Sequence, residues 1–282
     1  MIIVDLNQVM ISNFMAQVGN HTNITIDEHL FRHMVLNSIR SYNTKFKAEF
    51  GEMIIACDAG NNWRRDVFPY YKANRKKARQ KSDVDWNTVF ESLNRVRDEL
   101  RDYFPYRVIH IDKAEADDII GTLCAIHGDN EPVMIVSGDK DFRQLQMYKN
   151  VKQYDPVRKR MITDKDPKRY LKEHIMRGDM GDGVPNFLSK DDTFVVGGRQ
   201  KPLREEKLNN WIEMEPSEFC DDEMFRNYKR NEILVDLSMT PQSIKDQVVA
   251  VYNEQAGKGR AKLFNYFIDN KLKHLMESIN EF

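Results

Sequence analysis

The order of apolar and polar positions divides the first half of the chain into alternating strands and helices. Ile2-Ile3-Val4 is a short buried run that ends at Asp5. Thr25-x-x-Glu28 has the form of a capping box. Behind it, Leu30, Phe31, Met34, Val35, Ile39, Tyr42 and Phe46 recur close to every 3.6 residues, which predicts a helix that Gly51 stops. Met53–Cys57 is a second apolar run, ending at Asp58. Residues 60–82 show no clean period. From Asp83 a helix is predicted, with Trp86, Val89, Phe90, Leu93, Val96 and Leu100 on one face and Pro105 closing it. Residues 107–111 read as a third strand with Asp112 behind it. Glu115-Ala-Asp117-Asp118 opens a helix faced by Ile119, Ile120, Leu123 and Ile126, with Gly128 suited to its C-terminus. Val133–Val136 is a fourth strand. It runs into Ser137-Gly-Asp139-Lys-Asp141 and a short helix carrying Phe142 and Leu145, and residues 151–154 read as a fifth strand.

Such alternation predicts an α/β fold, a mostly parallel central sheet with helices on both faces. In such sheets ligands collect beyond the carboxyl ends of the strands. Asp5, Asp58, Asp112 and Asp139 each lie just past a strand, which points to one shared site. After Lys165 strand patterns fade and helical ones take over, at 244–252 and 263–279. The expected organisation is an α/β part over residues 1–164 and a helical part over 165–282, without repeats or a low-complexity linker.

Hydrophobic residues make up 41% of the 282 and charged residues 31%, enough for a real core under a polar surface. No apolar run approaches the length of a membrane span, and the N-terminus has neither the basic start nor the apolar core of a signal peptide. No membrane association is therefore expected. Cys57, Cys124 and Cys220 are odd in number and far apart, so reduced thiols are expected rather than a disulfide framework or a zinc site. The net charge of -1 hides an uneven distribution, for Arg64 to Lys81 contains eight basic residues and one acid, Asp66. A near-neutral total can combine a basic surface for a polyanion with an acidic pocket for metal.

Each acid taken singly has an ordinary explanation. Asp5 or Asp58 suits a turn after a strand. Asp117 and Asp118 suit a helix N-terminus, and Asp139 and Asp141 suit an Asx-turn. Asp179 and Asp182 suit a glycine-rich loop. The set is harder to explain that way, because carboxylates gathered at one edge repel and raise each other's pKa. Such a cluster calls for cations, and hard oxygen ligands suit Mg²⁺ or Mn²⁺. Two ions about 3.5–4 Å apart can hold the attacking and leaving oxygens of a phosphoryl displacement. The segment after Asp58 mixes cations (Arg64, Arg65, Lys72, Arg75, Lys76, Lys77, Arg79) with Tyr70 and Tyr71. Cations neutralise phosphates and aromatic faces stack on bases, a combination suited to single-stranded nucleic acid. A small-molecule phosphatase has no use for such a segment, and a noncatalytic binding module has no need to keep the acids.

Several motifs occur in an order that resembles the 5′ nuclease, or flap endonuclease, superfamily, and within it the ribonuclease H branch of T-even bacteriophages. They are Trp63-Arg64-Arg65-Asp66, Tyr70-Tyr71-Lys72, Glu115-Ala-Asp117-Asp118, Asp139-x-Asp141-Phe142, Gly178-Asp179-x-x-Asp182-x-Val184 and Ser278-Ile-Asn-Glu-Phe282. The resemblance runs along almost the whole chain. It implies a 5′ nuclease (PIN-like) fold and two Mg²⁺ ions, with Mn²⁺ as substitute. Asp5, Asp58, Glu115, Asp117 and Asp139 would surround the first, catalytic ion. Asp118, Asp141, Asp179 and Asp182 would belong to the second or its water shell. Lys72 and Arg64 would face the scissile phosphate, Lys72 as a clamp on developing charge, and Tyr71 would pack beside the terminal unpaired nucleotide. Residues 64–90 would form a basic arch for the 5′ single strand, and helices around 172–210 a helix–turn–helix-like grip on duplex.

The implied reaction is hydrolysis, 5′ to 3′, of RNA primers on DNA, 5′ flaps and nicked duplex ends during lagging-strand replication. It would leave 5′-phosphate and 3′-hydroxyl ends. The implied setting is the cytoplasm of an infected bacterium, and the implied form a monomer working beside a single-stranded-DNA-binding protein and a sliding clamp. Asp112 has no place in the family's motif and leaves the set. Asn186-Phe-Leu-Ser-Lys stands where many relatives carry a glycine-rich hairpin that binds a monovalent ion, so the resemblance does not carry a potassium site over to this chain. The chain starts almost at its first strand, so any clamp contact is expected from elsewhere than a preceding peptide.

Overall fold

The computed structural model describes residues 1–18, 27–80 and 84–282. Its strands are β1 (Ile2–Asp5), β2 (Met53–Cys57), β3 (Arg107–His110), β4 (Val133–Val136), β5 (Val151–Asp155) and β6 (Arg160–Ile162). They form one sheet in the order β3-β2-β1-β4-β5-β6, parallel throughout except for β6, which pairs antiparallel with β5. The sheet-bearing half carries helices α1 (Leu6–Val18), α2 (Glu28–Phe50), α3 (Arg64–Val67), α4 (Ala73–Gln80), α5 (Trp86–Tyr103) and α6 (Ala116–His127). The remainder carries α7 (Pro167–Arg177), α8 (Glu205–Trp211), α9 (Pro216–Phe219), α10 (Asp222–Val235), α11 (Gln242–Glu254), α12 (Leu263–Asp269) and α13 (Lys273–Met276).

The central strands β1, β2 and β4 are buried throughout, and apolar up to Asp5 in β1, because both faces are covered. In β1, Ile2 and Val4 turn to the layer of α1, α2 and α5, and Ile3 turns to the layer of α6 and α11. Each such aliphatic side chain, fully buried, contributes about 1.5–3 kcal/mol. The helix expected behind Thr25 is α2. Thr25 itself lies outside the described residues, and the N-cap is Asp27, whose side chain accepts the Leu30 N–H at 3.0 Å. Helix α1 departs from the sequence expectation. Leu6, Val9, Met10 and Phe14 have helical spacing, but the helix leaves β1 directly, its cap being the last strand residue, Asp5, which accepts the Gln8 N–H at 3.1 Å, and no acid stands in its first turn.

The residues after 165 finish the sheet layers as well as forming a core of their own. Leu237, Ile244 and Val248 pack with α6. Leu263, Tyr266, Phe267, Leu272, Leu275 and Phe282 pack with α2 and α5. A separate cluster joins α7, α8 and α10 through Ile175, Met176, Phe187, Leu208, Ile212, Tyr228 and Val235. The helix expected over 263–279 is broken into α12, α13 and a 3₁₀ turn at Ile279–Glu281, with Lys271 in the left-handed region at φ 55° between the first two. Residues 178–204 join α7 to α8 through turns and irregular chain, a far longer link than the roughly three or four residues of a compact helix–turn–helix.

Candidate active site

Pairing in register fixes the site's floor. Asp5 lies opposite Ala56, and Val4 lies opposite Val136. The chain therefore leaves β2, β1 and β4 at one level, carrying Asp58, Asp5 and Asp139. Helix α6 brings Glu115 to the same edge as its N-cap, where Glu115 and Asp118 form a reciprocal capping box. The result is a cleft of about 760 Å³ whose lining includes Asp5, Asp58, Glu115, Asp117, Asp139 and Asp182. Arg65, Lys72, Arg75, Arg79 and Arg97 line it too.

Hydrogen bonds hold these carboxylates in place. Asp5 accepts the Gln8 N–H and the Ser137 hydroxyl, both at 3.1 Å. Asp58 accepts the Ala116 N–H at 2.7 Å and the Asn7 amide at 2.6 Å. Charge remains uncompensated nevertheless. Burial, then the neighbouring Asp58 and Asp139, push Asp5 up to about 7. Burial raises Asp58 also, and Glu115 adds to it. Asp117 is pushed well above the carboxylate range by burial, Asp139 and Glu115. Glu115 goes the other way: burial would raise it, but Lys72 and Arg64 hold it down at about 2. Among the described residues, no ion pair involves Asp5, Asp58, Asp117 or Asp139. Positive charge entering among Asp5, Asp58 and Asp117 favours their ionised forms. With oxygen donors only, the set fits hard divalent cations.

Across the cleft lies a second group. Asp141 opens the 3₁₀ segment Lys140–Met147, His174 comes from α7, and Asp179 and Asp182 come from the turn that follows α7. Gly178 starts this turn at φ 67°, where a Cβ would meet the Val184 carbonyl at 2.4 Å, so glycine is required there. Asp179 Oδ1 accepts the Gly181 and Asp182 N–H groups, and Oδ2 pairs with Lys140 at 2.8 Å. Lys140 and His174 hold Asp179 below its usual value despite burial. Burial pushes Asp141 up to about 7, with His174 opposing and Asp139 adding.

The basic segment meets this turn. Lys72 adopts φ 56°, and its N–H donates to the Asp182 carbonyl at 2.7 Å. Its ammonium pairs with Glu115 and lies 3.5 Å from Asp182. Arg75, half exposed, also pairs with Asp182. The Arg79 guanidinium sits 5.2 Å from the Phe90 ring centroid.

Residues 1–176 match the family described as 5′-3′ exonuclease, N-terminal resolvase-like domain. Residues 159–282 match the T4 RNase H C-terminal family. The chain belongs to the 5′-3′ exonuclease family. It is a 5′ nuclease by that membership. The ribonuclease H of Enterobacteria phage T4 is 34% identical, covering 99% of this chain and 95% of its own. A 5′-3′ exonuclease of Buchnera aphidicola is 28% identical over 52% of this chain and 49% of its own. Among solved structures, the bacteriophage T5 flap endonuclease in complex with DNA and metal ions shares the fold. Its TM-score is 0.64 at 18% identity, over 90% of this chain and 98% of that one.

Three expected positions of this 5′ nuclease lie elsewhere than their motifs suggest. Arg64 does not face the cleft. It is buried between α6 and α10, bonded to the Leu234 carbonyl, Asp118 and Glu115. Its neighbour Arg65 takes the exposed, cleft-lining place. Tyr71 is 3% exposed, with its hydroxyl 2.9 Å from Glu115 and 3.0 Å from Asp182, and offers no ring face to a base. Asp118 is fully buried against Arg64, Trp63 and Thr240, out of reach of an ion in the cleft. Asp112 is exposed outside the site, in keeping with its removal from the set. Lys76 and Lys77 lie on α4, but their side chains are outside what is described. No sequence motif singles out Asn7, Gln8, Arg97 or His174. Trp86 and Phe90, which the helical period places on a core stripe, stand at the cleft rim.

Proposed function

We propose that this 5′ nuclease is a divalent-metal-dependent 5′ to 3′ exonuclease and flap endonuclease. Its substrates are RNA primers on DNA, 5′ flaps and nicked duplex ends in lagging-strand replication, in the cytoplasm of an infected bacterium. The single observation that carries this reading is the cleft itself. Asp5, Asp58, Asp117 and Asp139 converge there without ion-pair partners among the described residues, under a rim of Arg65, Lys72, Arg75, Arg79 and Arg97.

Asp5, Asp58, Glu115, Asp117 and Asp139 would hold or orient the first of two ions, with Asp141, Asp179 and Asp182 around the second. When bound, Mg²⁺ or Mn²⁺ supplies a nucleophile at neutral pH and neutralises charge on the phosphate. Lys72, held on Glu115, reaches the phosphate and stabilises charge that develops on its oxygens. Arg64, Tyr71 and Asp118 position Glu115 and the start of α6 rather than touching substrate. The segment 64–90 gathers the 5′ strand, and residues 165–282, through α7, α8 and the chain between them, take the duplex backbone.

The test is digestion of a 5′-labelled flap and a nicked RNA–DNA hybrid with Mg²⁺ and with EDTA. The wild-type protein should cut both only with metal. Asp139→Asn should abolish cutting with the fold retained. Cutting by this variant at the wild-type rate would remove the carboxylate cleft as the place of cutting, and binding without cutting by the wild type would leave only a noncatalytic binding module.

A further inference from the structure

His174 is 6% exposed, and each ring nitrogen faces a carboxylate. Nε2 lies 3.3 Å from Asp179 Oδ2, and Nδ1 lies 3.5 Å from Asp141 Oδ1. Nδ1 and Asp141 Oδ1 are both buried, and neither has a hydrogen-bond partner among the described residues. One donor atom from each of Asp141, His174 and Asp179 lies within 4.8 Å of the other two, a span that one cation's shell bridges. In the tautomer whose Nε2 proton goes to Asp179, Nδ1 turns its lone pair toward Asp141 Oδ1. A carboxylate on the far nitrogen is the usual way a ligating imidazole is oriented.

We propose that His174 Nδ1 binds a metal ion directly together with Asp141, so that the second cation position is a mixed nitrogen–oxygen site. This rests on the two-ion reading above. Imidazole nitrogen suits first-row transition ions and is a poor ligand for Mg²⁺. The position therefore selects Mn²⁺, whereas the all-oxygen position at Asp5, Asp58, Asp117 and Asp139 accepts Mg²⁺.

The test is Mn²⁺ binding followed by electron paramagnetic resonance, in whole protein with excess Mg²⁺ present. One Mn²⁺ per chain should resist displacement by Mg²⁺, with spin-echo modulation from a directly bound nitrogen. His174→Gln should abolish that modulation and weaken Mn²⁺ binding on the order of tenfold or more, with its fold checked by circular dichroism. Asp139→Asn should keep the Mg²⁺-resistant ion and its nitrogen signal, which serves as the check if His174→Gln does not fold. Equal displacement by Mg²⁺, or bound Mn²⁺ without nitrogen modulation, would mean that His174 is only an imidazolium bridging two carboxylates. Cleavage of the flap with Mg²⁺ alone, with no such Mn²⁺ site, would overturn this inference and leave the nuclease reading standing. A nitrogen-bound Mn²⁺ in a protein that does not cut would do the reverse.

Discussion

Replacing Arg64 by methionine separates a buried positioning role from a phosphate-binding one. The side chain is 1% exposed. Its Nε donates to the Leu234 carbonyl at 3.0 Å, Nη2 to Asp118 at 2.9 Å, and Nη1 to Asp118 at 3.0 Å and Glu115 at 3.2 Å. Methionine keeps much of the length of the side chain and loses every donor. Asp118, at 0% exposure, would keep Trp63, Thr240 and the Glu115 N–H but have no cation. Stranding one partner of a buried ion pair costs about 3–5 kcal/mol, against a total stability of about 5–15 kcal/mol. Arg64→Met should therefore lower the urea midpoint strongly at unchanged slope. Adding Asp118→Asn removes the stranded charge and should recover about 1–2 kcal/mol, a coupling that a double-mutant cycle resolves. A loss below about 1 kcal/mol, within the range of an ordinary surface substitution, or strictly additive losses, would refute the buried placement. A stable variant that merely cuts slowly would restore Arg64 to the phosphate.

Other expectations concern the cleft. Asp5 and Asp141 sit at about 7, with Asp58 and Asp117 also raised, so in metal-free protein the native state binds protons more tightly than the unfolded chain. That stabilisation is present below the unfolded carboxylate range and lost as pH rises through about 7. The melting temperature in EDTA should fall from pH 5 to pH 8, and Asp5→Asn should flatten the fall; a rise would contradict the sign. Lys72→Ala should lower kcat more than it weakens flap binding, and a loss confined to affinity would remove its role at the transition state. Flap affinity should fall steeply with salt. Glutamate at Arg65 and Arg79 should reduce the logarithmic slope by about 0.7 for each single-strand phosphate left without its cation, whereas an unchanged slope would put the strand elsewhere.

Strands β1 to β5 and the floor of the site were legible because apolar runs give way to acids and parallel pairing aligns those ends, whereas β6, short and largely exposed, carries no apolar run and was not. Glu115 and Asp117 were legible from the helix start that follows β3. Which of two adjacent arginines turns inward was not, because the acceptor that decides it is the Leu234 carbonyl, far along the chain. His174 has the pattern of any polar residue on an amphipathic helix, and only the turn at Gly178 brings Asp179 back beneath it. The burial of Asp118 and Tyr71 likewise depends on α10 and Thr240, beyond any local pattern. Helix α1 escapes a sequence reading because its cap, Asp5, is also the last residue of β1, so no loop separates the two elements.

The packing of residues 263–282 onto α2 and α5 has a consequence in time. Asn43 donates to the Glu281 carbonyl at 2.7 Å, across most of the sequence, and Phe282 sits against Phe104 and Phe267. During synthesis, β1 and α2 emerge long before the chain that covers them. The apolar side of α2 and α5 that this segment covers then stays exposed to mispairing until the segment arrives, since pairings of such separation form slowly. A nascent chain is therefore most exposed to mispairing in the interval before this late segment docks.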